Sequence, residues 1–481
     1  MSAHAVSRPL LAALLALSAA AATPAKALEA AAAKVDITPD LSTETVWLAG
    51  FGATGRRPSG VHDPLYARIV LLRAGKNMVA LVGLDLLGFY INDTETLRRE
   101  WARGSADKKL FVHATHTHSG PDTLGLWGPL VGVSGINRRY MARIERRIAE
   151  ALDLLETQLR PVTASGAHGT LNPSGLCRDS RDPQVIDPHL GVLRLKGTDG
   201  KAVATIVNWS CHPEVLGREN RLLTADYPGA LCARVEKRSG GACLFLNGVI
   251  GGLLTPDTKI ENFDEALRIG TAVADAALAL KTEAGGRGLS YRFERALVPV
   301  ENSRYLLFLH ALTGGHRLYH ADRKAISSFW AWPLSLRHLF FGLSEKNRPW
   351  IETEVSLLDI GPARLLGMPA EVFPELAIGG YDGQYSFGRP VVAPEGPTRD
   401  LQAAPKGPYL RDLIKAPVPM IVGLANDELG YLVPAYDFKV RTSRTMLPRY
   451  PGHYEETNSI GPSATKILTG AAARLLKEPR P

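Results

Sequence analysis

The residues with the greatest chemical potential lie in the segment Ala114 to Pro121, ATHTHSGP, which follows an apolar run. His116 and His118 stand two residues apart, and residues at that spacing in extended backbone project to the same face. Neutral imidazole is a common ligand of Zn²⁺ in proteins. The spacing therefore predicts that both rings converge on one metal ion. On this motif alone, two ordinary core histidines remain an alternative.

A second histidine motif is Asn208 to Pro213, NWSCHP, in which His212 follows an apolar run and precedes a proline. Asp85 and Asn247 stand at the ends of two further apolar runs. Sites in open α/β sheets gather at the ends of strands. We therefore expect these side chains to share one pocket with His116.

The elements that must position these residues alternate between strand-like and helix-like segments. Short apolar runs rich in β-branched residues predict buried strands at 66–73, 78–85, 109–114, 191–195, 202–208 and 242–247. Apolar residues at steps of three and four predict helices at 144–159, ended by Pro161, and at roughly 261–281 and 464–477. The alternation predicts an α/β fold: a single large layered domain with a mixed sheet, flanking helices and long loops.

Composition is that of an ordinary globular protein. Of 481 residues, 45% are hydrophobic and 22% are charged, and no linker-like or charge-rich tract divides the chain. The formal net charge of +8 raises the question of an anionic partner. Because the Lys and Arg residues are spread out, with no basic stripe interleaved with aromatics, we expect no nucleic-acid partner. The sequence gives no reason to infer a protein partner.

The first 27 residues have the order of parts typical of a signal peptide. Arg8 precedes the apolar run 9–22, and Ala25-Lys26-Ala27 provides the small residues of a cleavage site. We expect residues 1–27 to be removed and residues 28–481 to form an exported protein, periplasmic or secreted. Export permits disulfides, but the cysteines can equally be buried thiols; they are Cys177, Cys211, Cys232 and Cys243.

Read together, ATHTHSGP and NWSCHP resemble motifs of the neutral/alkaline ceramidases, which are zinc-dependent amidases. The similarity continues along the chain in five further segments. They are Val35 to Pro39 (VDITP), Gly60 to Arg68 (GVHDPLYAR), Met368 to Glu371 (MPAE), Asn426 to Tyr431 (NDELGY) and His453 to Glu455 (HYE). Each match is short, but together they follow the order of the family's segments.

The resemblance implies a zinc ion held by His116, His212, Glu371 and Tyr431. It implies proton transfer by His118, beside the metal, and it implies that Tyr454 donates a hydrogen bond to the carbonyl oxygen as that atom becomes an oxyanion. The implied reaction is cleavage of the N-acyl amide bond of ceramide or a related N-acyl lipid by zinc-activated water. Residues 28–481 would form the catalytic domain, without the additional C-terminal β domain of the family.

The chain departs from the family at two functional positions. Thr255 stands where the family has its proposed nucleophilic serine, and the extra methyl group restricts the rotamer and crowds attack. The family's substrate-binding arginine has no direct counterpart, and Arg178 or Arg181 could replace it. These departures leave two alternatives open: a zinc hydrolase of the same fold that cleaves a different amide or an ester, and a non-catalytic periplasmic binding protein.

Segment 305–343 is rich in aromatic and leucine side chains. Such a segment suits a lipid-facing lip or an acyl-chain channel, which would allow peripheral contact with a membrane surface. A pair of amphipathic core helices explains the same pattern. The sequence does not decide between them.

Overall fold

The computed structural model describes residues 27–181, 183–286, 288–306, 315–387, 401–442, 447–448 and 453–477. The signal peptide predicted for residues 1–27 lies outside this part of the chain except for its last residue. Residues 307–314 of the aromatic-rich segment also lie outside it.

The strands follow one another along the chain as β1 Leu28–Asp36, β2 Gly60–Val61, β3 Tyr66–Ala74, β4 Asn77–Leu84, β5 Lys108–Ala114, β6 Arg160–Thr170, β7 Cys177–Asp179, β8 His189–Gly197, β9 Ala202–Trp209, β10 Leu222–Leu223, β11 Ala242–Asn247, β12 Leu254–Pro256, β13 Glu283–Ala284, β14 Leu289–Pro299, β15 Leu318–Tyr319, β16 Trp350–Ile360, β17 Ala363–Gly367, β18 Glu371–Val372, β19 Val418–Val422, β20 Tyr431–Leu432, β21 Val440–Thr442 and β22 Leu447–Pro448.

The helices are α1 Ile91–Ala102, α2 Arg138–Glu156, α3 Asp226–Ser239, α4 Phe263–Ala279, α5 Ser303–Tyr305, α6 Ser328–Phe341, α7 Pro374–Ile378, α8 Leu410–Leu413 and α9 Ser463–Lys477. Short 3₁₀ turns occur at Leu401–Ala403, Ala435–Asp437 and Glu455–Asn458.

Two mixed sheets dominate the described residues. The larger has nine strands there, in the order β11-β9-β8-β6-β1-β3-β4-β5, with β13 attached to β6. The smaller has five, in the order β14-β16-β17-β19, with β15 attached to β16. The pairs β4 with β5, β9 with β11 and β17 with β19 are parallel. Each of these pairs carries loops at the carboxyl ends of its two strands, and such loops can assemble a site.

The two sheets pack face to face, and helices cover their outer faces. Alternation along β3 shows the arrangement: Val70 and Leu72 pack in the core between the sheets, whereas Ile69 and Leu71 pack under α1 and α2. Helices α3 and α4 cover the β8, β9 and β11 region, and α9 packs on the smaller sheet. This four-layer arrangement confirms the predicted α/β layered domain with a mixed sheet and flanking helices.

The predicted helix 144–159 differs from α2 at both ends, because α2 begins six residues earlier, at Arg138. The helix expected to continue to Leu159 ends at Glu156, with Thr157 as its C-cap. The reason is tertiary: β6 begins at Arg160 and pairs with both β1 and β8, so the chain must already be extended there. All four cysteines are buried free thiols. In the part of the chain that the structure describes, no helix is both long and apolar enough to cross a bilayer.

Candidate metal centre

The first two histidines lie in the loop that follows β5. The loop is tied to the end of the neighbouring parallel strand, since Thr115 N donates to Leu84 O (2.8 Å) and His116 N to Leu86 O (2.9 Å). His116 has a φ of 72°, a left-handed conformation that is costly for a residue with a Cβ. The predicted extended His-x-His backbone is therefore wrong in its detail. The rings of His116 and His118 nevertheless converge, with centroids 5.1 Å apart.

His212 approaches the same point from the loop after β9. Its ring centroid lies 5.1 Å from that of His116 and 5.7 Å from that of His118. The Nδ1 atom of His212 donates to Leu254 O (2.9 Å), and Nδ1 of His116 donates to Leu87 O (2.6 Å). These carbonyls fix the tautomer and leave Nε2 of each ring directed into the centre.

Glu371 and Tyr431 come from a separate pair of short strands. They are register partners in the parallel pairing of β18 with β20, so their side chains emerge side by side. Glu371 Oε2 lies 2.9 Å from His212 Nε2, and Oε1 lies 3.7 Å from His116 Nε2. Interaction with the Tyr431 hydroxyl helps to lower the pKa of the Glu371 carboxyl. The Tyr431 hydroxyl is 2.7 Å from that of Tyr454, which remains 38% exposed.

Burial sets the charge of this cluster. It lowers the pKa of His116 to about 4, with partial opposition from Glu371, and it lowers the pKa of His118 well below its usual value. Burial opposes ionisation of Glu371, but His116 and His212 outweigh it and lower the pKa of that carboxyl. Burial acts to lower the pKa of His212, but the Glu371 carboxylate outweighs it and raises that pKa.

This donor set fits a metal ion. His116, His118 and His212 are all buried, and their candidate donor atoms lie within 4.8 Å of one another. Neither ring nitrogen of His118 has a hydrogen-bond partner, an unusual state for a buried imidazole. Neutral imidazoles beside a carboxylate are suitable ligands for a divalent metal. The ring of His118 lies as close to the centre of the cluster as the other two rings. The ligand set implied by the resemblance, which leaves His118 out, therefore stays a prediction. That set is His116, His212, Glu371 and Tyr431.

The structure adds Glu214, which sequence reasoning missed. Its Oε2 lies 3.3 Å from His118 Nδ1, and interaction with the Thr255 hydroxyl lowers the pKa of its carboxyl against the effect of burial. Thr255 lies in β12, directly opposite Arg178 of β7. Glu214 therefore links the predicted proton-transfer residue to the predicted nucleophile position. Its place two residues after His212 in the chain is the signal that could have revealed it.

Two other residues named from the sequence lie outside the centre. Arg181 is buried in ion pairs, so its guanidinium cannot reach a substrate; its partners are Asp437, Glu455 and Glu456. Arg178 is thus the better placed of the two arginines. Asp85 accepts a hydrogen bond from Tyr66 N (2.9 Å) and faces Arg68, so it supports the sheet instead of lining the pocket. Asn247 supports the centre from behind, where its amide donates to Thr115 O (3.0 Å).

A cavity of about 460 Å³ opens onto His116 and His118. Part of its lining is apolar and is formed by Leu87, Leu124, Leu126, Trp127 and Val131. The lining also includes Glu371, Tyr431 and Tyr454, together with Arg304 and the buried Glu428. An apolar cleft with a few convergent polar groups is the usual form of a site for a small molecule.

Arg56 holds the loop that carries His118. Its buried guanidinium donates to Ala49 O (2.8 Å) and His118 O (2.6 Å). It also donates to three carbonyls of the loop that follows His212, those of Gly217, Arg218 and Asn220. Gly50 touches the same histidine: a Cβ added there would lie 2.4 Å from His118 Cγ. The position of the His118 ring therefore depends on both residues.

No family model and no curated protein matches the chain. Among solved structures, the crystal structure of neutral ceramidase from Pseudomonas aeruginosa matches with a TM-score of 0.62 and 16% identity, over 94% of this chain and 75% of that one. A ceramidase complexed with C2 matches with a TM-score of 0.62, 17% identity and the same coverages. At these identities the likeness establishes the fold.

Proposed function

We propose that this chain, which shares the fold of neutral ceramidase, is a zinc-dependent hydrolase that cleaves the N-acyl amide bond of ceramide or a related N-acyl lipid. One observation carries the proposal. Three buried histidines, with Glu371 and Tyr431 beside them, converge at an apolar cavity within that fold. A pure binding protein has no need for such a cluster, which argues against the non-catalytic alternative.

In this proposal His116, His212, Glu371 and Tyr431 hold the zinc ion, which supplies a Lewis acid for the amide carbonyl and lowers the pKa of water. His118 is neutral in its buried position and can accept a proton during attack. It then returns that proton to the leaving amine as the C–N bond breaks. Glu214 Oε2, 3.3 Å from Nδ1, is placed to accept a hydrogen bond from the ring once His118 is protonated.

Tyr454 supplies the hydrogen bond for the developing oxyanion. Its hydroxyl lies 2.7 Å from that of Tyr431, which fixes its direction while its 38% exposure leaves it open to substrate. The apolar part of the cavity lining, which contains Leu124 and Trp127, accommodates the acyl chain. Thr255, which interacts with the Glu214 carboxylate, orients water or substrate.

A second candidate function is hydrolysis of a different amide or an ester with an anionic group. Arg304 lines the cavity and forms no ion pair with any described residue. A guanidinium without a carboxylate partner is well suited to bind a carboxylate or phosphate of a substrate. Arg304→Gln would raise KM for such a substrate and leave KM for a neutral N-acyl lipid unchanged.

The test is a substrate panel of N-acyl lipids, N-acyl amino acids and esters, with and without a chelator. Elemental analysis accompanies it. We expect His116→Ala and His212→Ala to lose zinc, whereas His118→Ala keeps zinc and loses most activity. His320→Ala, at an exposed site, is the matched control. Full zinc occupancy in His116→Ala would refute the ligand assignment, and chelator-resistant turnover would refute the proposed chemistry.

A further inference from the structure

Helix α6 exposes aromatic side chains where a surface helix normally exposes polar ones. Phe329, Trp330, Phe340 and Phe341 are 76%, 60%, 66% and 83% exposed. At about 100° per residue, these four positions fall within a sector of about 120°. Arg337, also exposed, falls within the same sector. We call the four aromatic residues the aromatic face of α6.

Just beyond this sector the helix packs on the protein. His338, about 60° past the edge of the sector, is only 1% exposed, and Leu334, about 20° past it, packs against the core cluster that includes Tyr305 and Leu306. The aromatic face therefore lies beside the packed side of the helix. Two pairs of exposed aromatics on one face of a helix, about 15 Å apart along its axis, indicate a surface that a partner removes from water.

Charge indicates what that partner is. Residues 315–344 contain four Lys or Arg residues and a single acidic residue, Asp322. Among the described residues, neither Arg317 nor Arg337 has a carboxylate within ion-pair distance, and both are exposed. Tryptophan and phenylalanine on one helix face with an arginine, here Arg337, are typical of segments that lie in the interface of an anionic bilayer, where the rings enter the acyl boundary and the cation meets the headgroups.

The aromatic face lies beside the cavity. Helix α6 contacts α5, which contributes Arg304 and Tyr305 to the cavity wall. On the loop that contributes Val131 to the cavity, Leu130 and Val131 are also exposed, at 67% and 64%. Apolar surface therefore occurs next to two of the segments that line the cavity.

We propose that the aromatic face of α6 binds the surface of an anionic phospholipid bilayer and thereby places the cavity next to lipid substrates. Binding itself does not depend on catalysis. Only the role in substrate delivery rests on the proposed function.

The experiment is co-sedimentation of the full chain with vesicles of phosphatidylcholine, alone or mixed with phosphatidylglycerol. We expect binding to the mixed vesicles that weakens as salt is added. A variant with Phe329→Ser, Trp330→Ser, Phe340→Ser and Phe341→Ser should lose binding at least about tenfold. A control with Leu154→Ser and Leu267→Ser removes exposed apolar side chains from α2 and α4 and should bind like the unchanged protein.

Further readouts separate this inference from the proposed function and from misfolding. The fourfold variant should keep its circular dichroism spectrum and its turnover of a short-chain, water-soluble substrate from the panel, and it should lose turnover of substrate embedded in vesicles. If the panel shows no turnover but vesicle binding depends on the aromatic face, only the proposed function fails. Equal binding by the fourfold variant and the unchanged protein would overturn the inference. So would a dimer in light scattering that the fourfold variant abolishes, because the face would then be a self-association surface.

Discussion

Replacing Arg56 by methionine should destabilise the protein and displace His118. Arg56 is only 6% exposed, and its guanidinium donates to five backbone carbonyls from three segments of chain. Burial lowers its pKa to about 10, so the side chain is charged at neutral pH. Methionine fills much of the same volume but donates nothing.

The size of the expected loss in the free energy of unfolding depends on which carbonyls water cannot reach in the variant. The acceptors on Ala49 and His118 are in buried hydrogen bonds, whereas those on Arg218 and Asn220 are partly exposed and can bind water instead. An unsatisfied buried acceptor costs about 1–3 kcal/mol. Two such groups give a loss of roughly 2–6 kcal/mol in the free energy of unfolding, and the weaker bond to Gly217 (3.4 Å) adds to it. That is a large part of the usual stability of a domain.

Urea unfolding of chelator-treated protein measures this loss without a contribution from metal binding. Arg57→Met is the matched control, because Arg57 is the exposed neighbour and should change the free energy of unfolding by less than about 0.5 kcal/mol. Arg56→Lys should recover only part of the loss, since an ammonium cannot span the separated acceptors. A loss below about 1 kcal/mol in Arg56→Met would show that water or loop movement satisfies the carbonyls, and the argument would fail.

The other predictions concern the catalytic loop, the Thr255 position and the N-terminus. Gly50→Ala should lower kcat by about 100-fold with zinc retained, because the new Cβ would lie 2.4 Å from His118 Cγ. The control is Gly200→Ala, at a similarly positive φ but with open space around it, which should leave kcat unchanged. Equal kcat in both variants would refute the clash. Thr255→Ala should lower kcat about 10–100-fold and Thr255→Ser should preserve it, as expected of a residue that orients water or substrate. Complete loss of activity in Thr255→Ala, or an acyl-enzyme trapped on Thr255, would instead identify Thr255 as the nucleophile. We also propose that the chain is exported, so protein recovered from the periplasm or medium should begin near Leu28; N-terminal sequencing that returns residues upstream of Ala20 would contradict it.

The sequence by itself determined the elements and their class. Periodicity identified the buried strands and the main helices because burial on a sheet or a helix face leaves a local repeat in the chain. It also placed His116 and His212 just beyond strand ends, since those strands are short and apolar and the polar residues follow them directly. The spacing of two histidines was sufficient to suggest a metal centre. It did not reveal the positive φ of His116, which depends on hydrogen bonds to a neighbouring strand.

Tertiary structure alone decided which distant residues meet at that centre. Glu371 and Tyr431 become neighbours through the register of two short parallel strands, and no periodicity in the chain encodes that register. The same is true of the inward position of Glu214 between Thr255 and His118. Ion pairing removed Arg181 from the site, because a buried guanidinium must be compensated by nearby carboxylates, and those carboxylates come from more than 250 residues further along the chain. Local patterns report the environment of each segment, whereas contacts between segments arise only when the sheets pack and the loops at their edges close over one another.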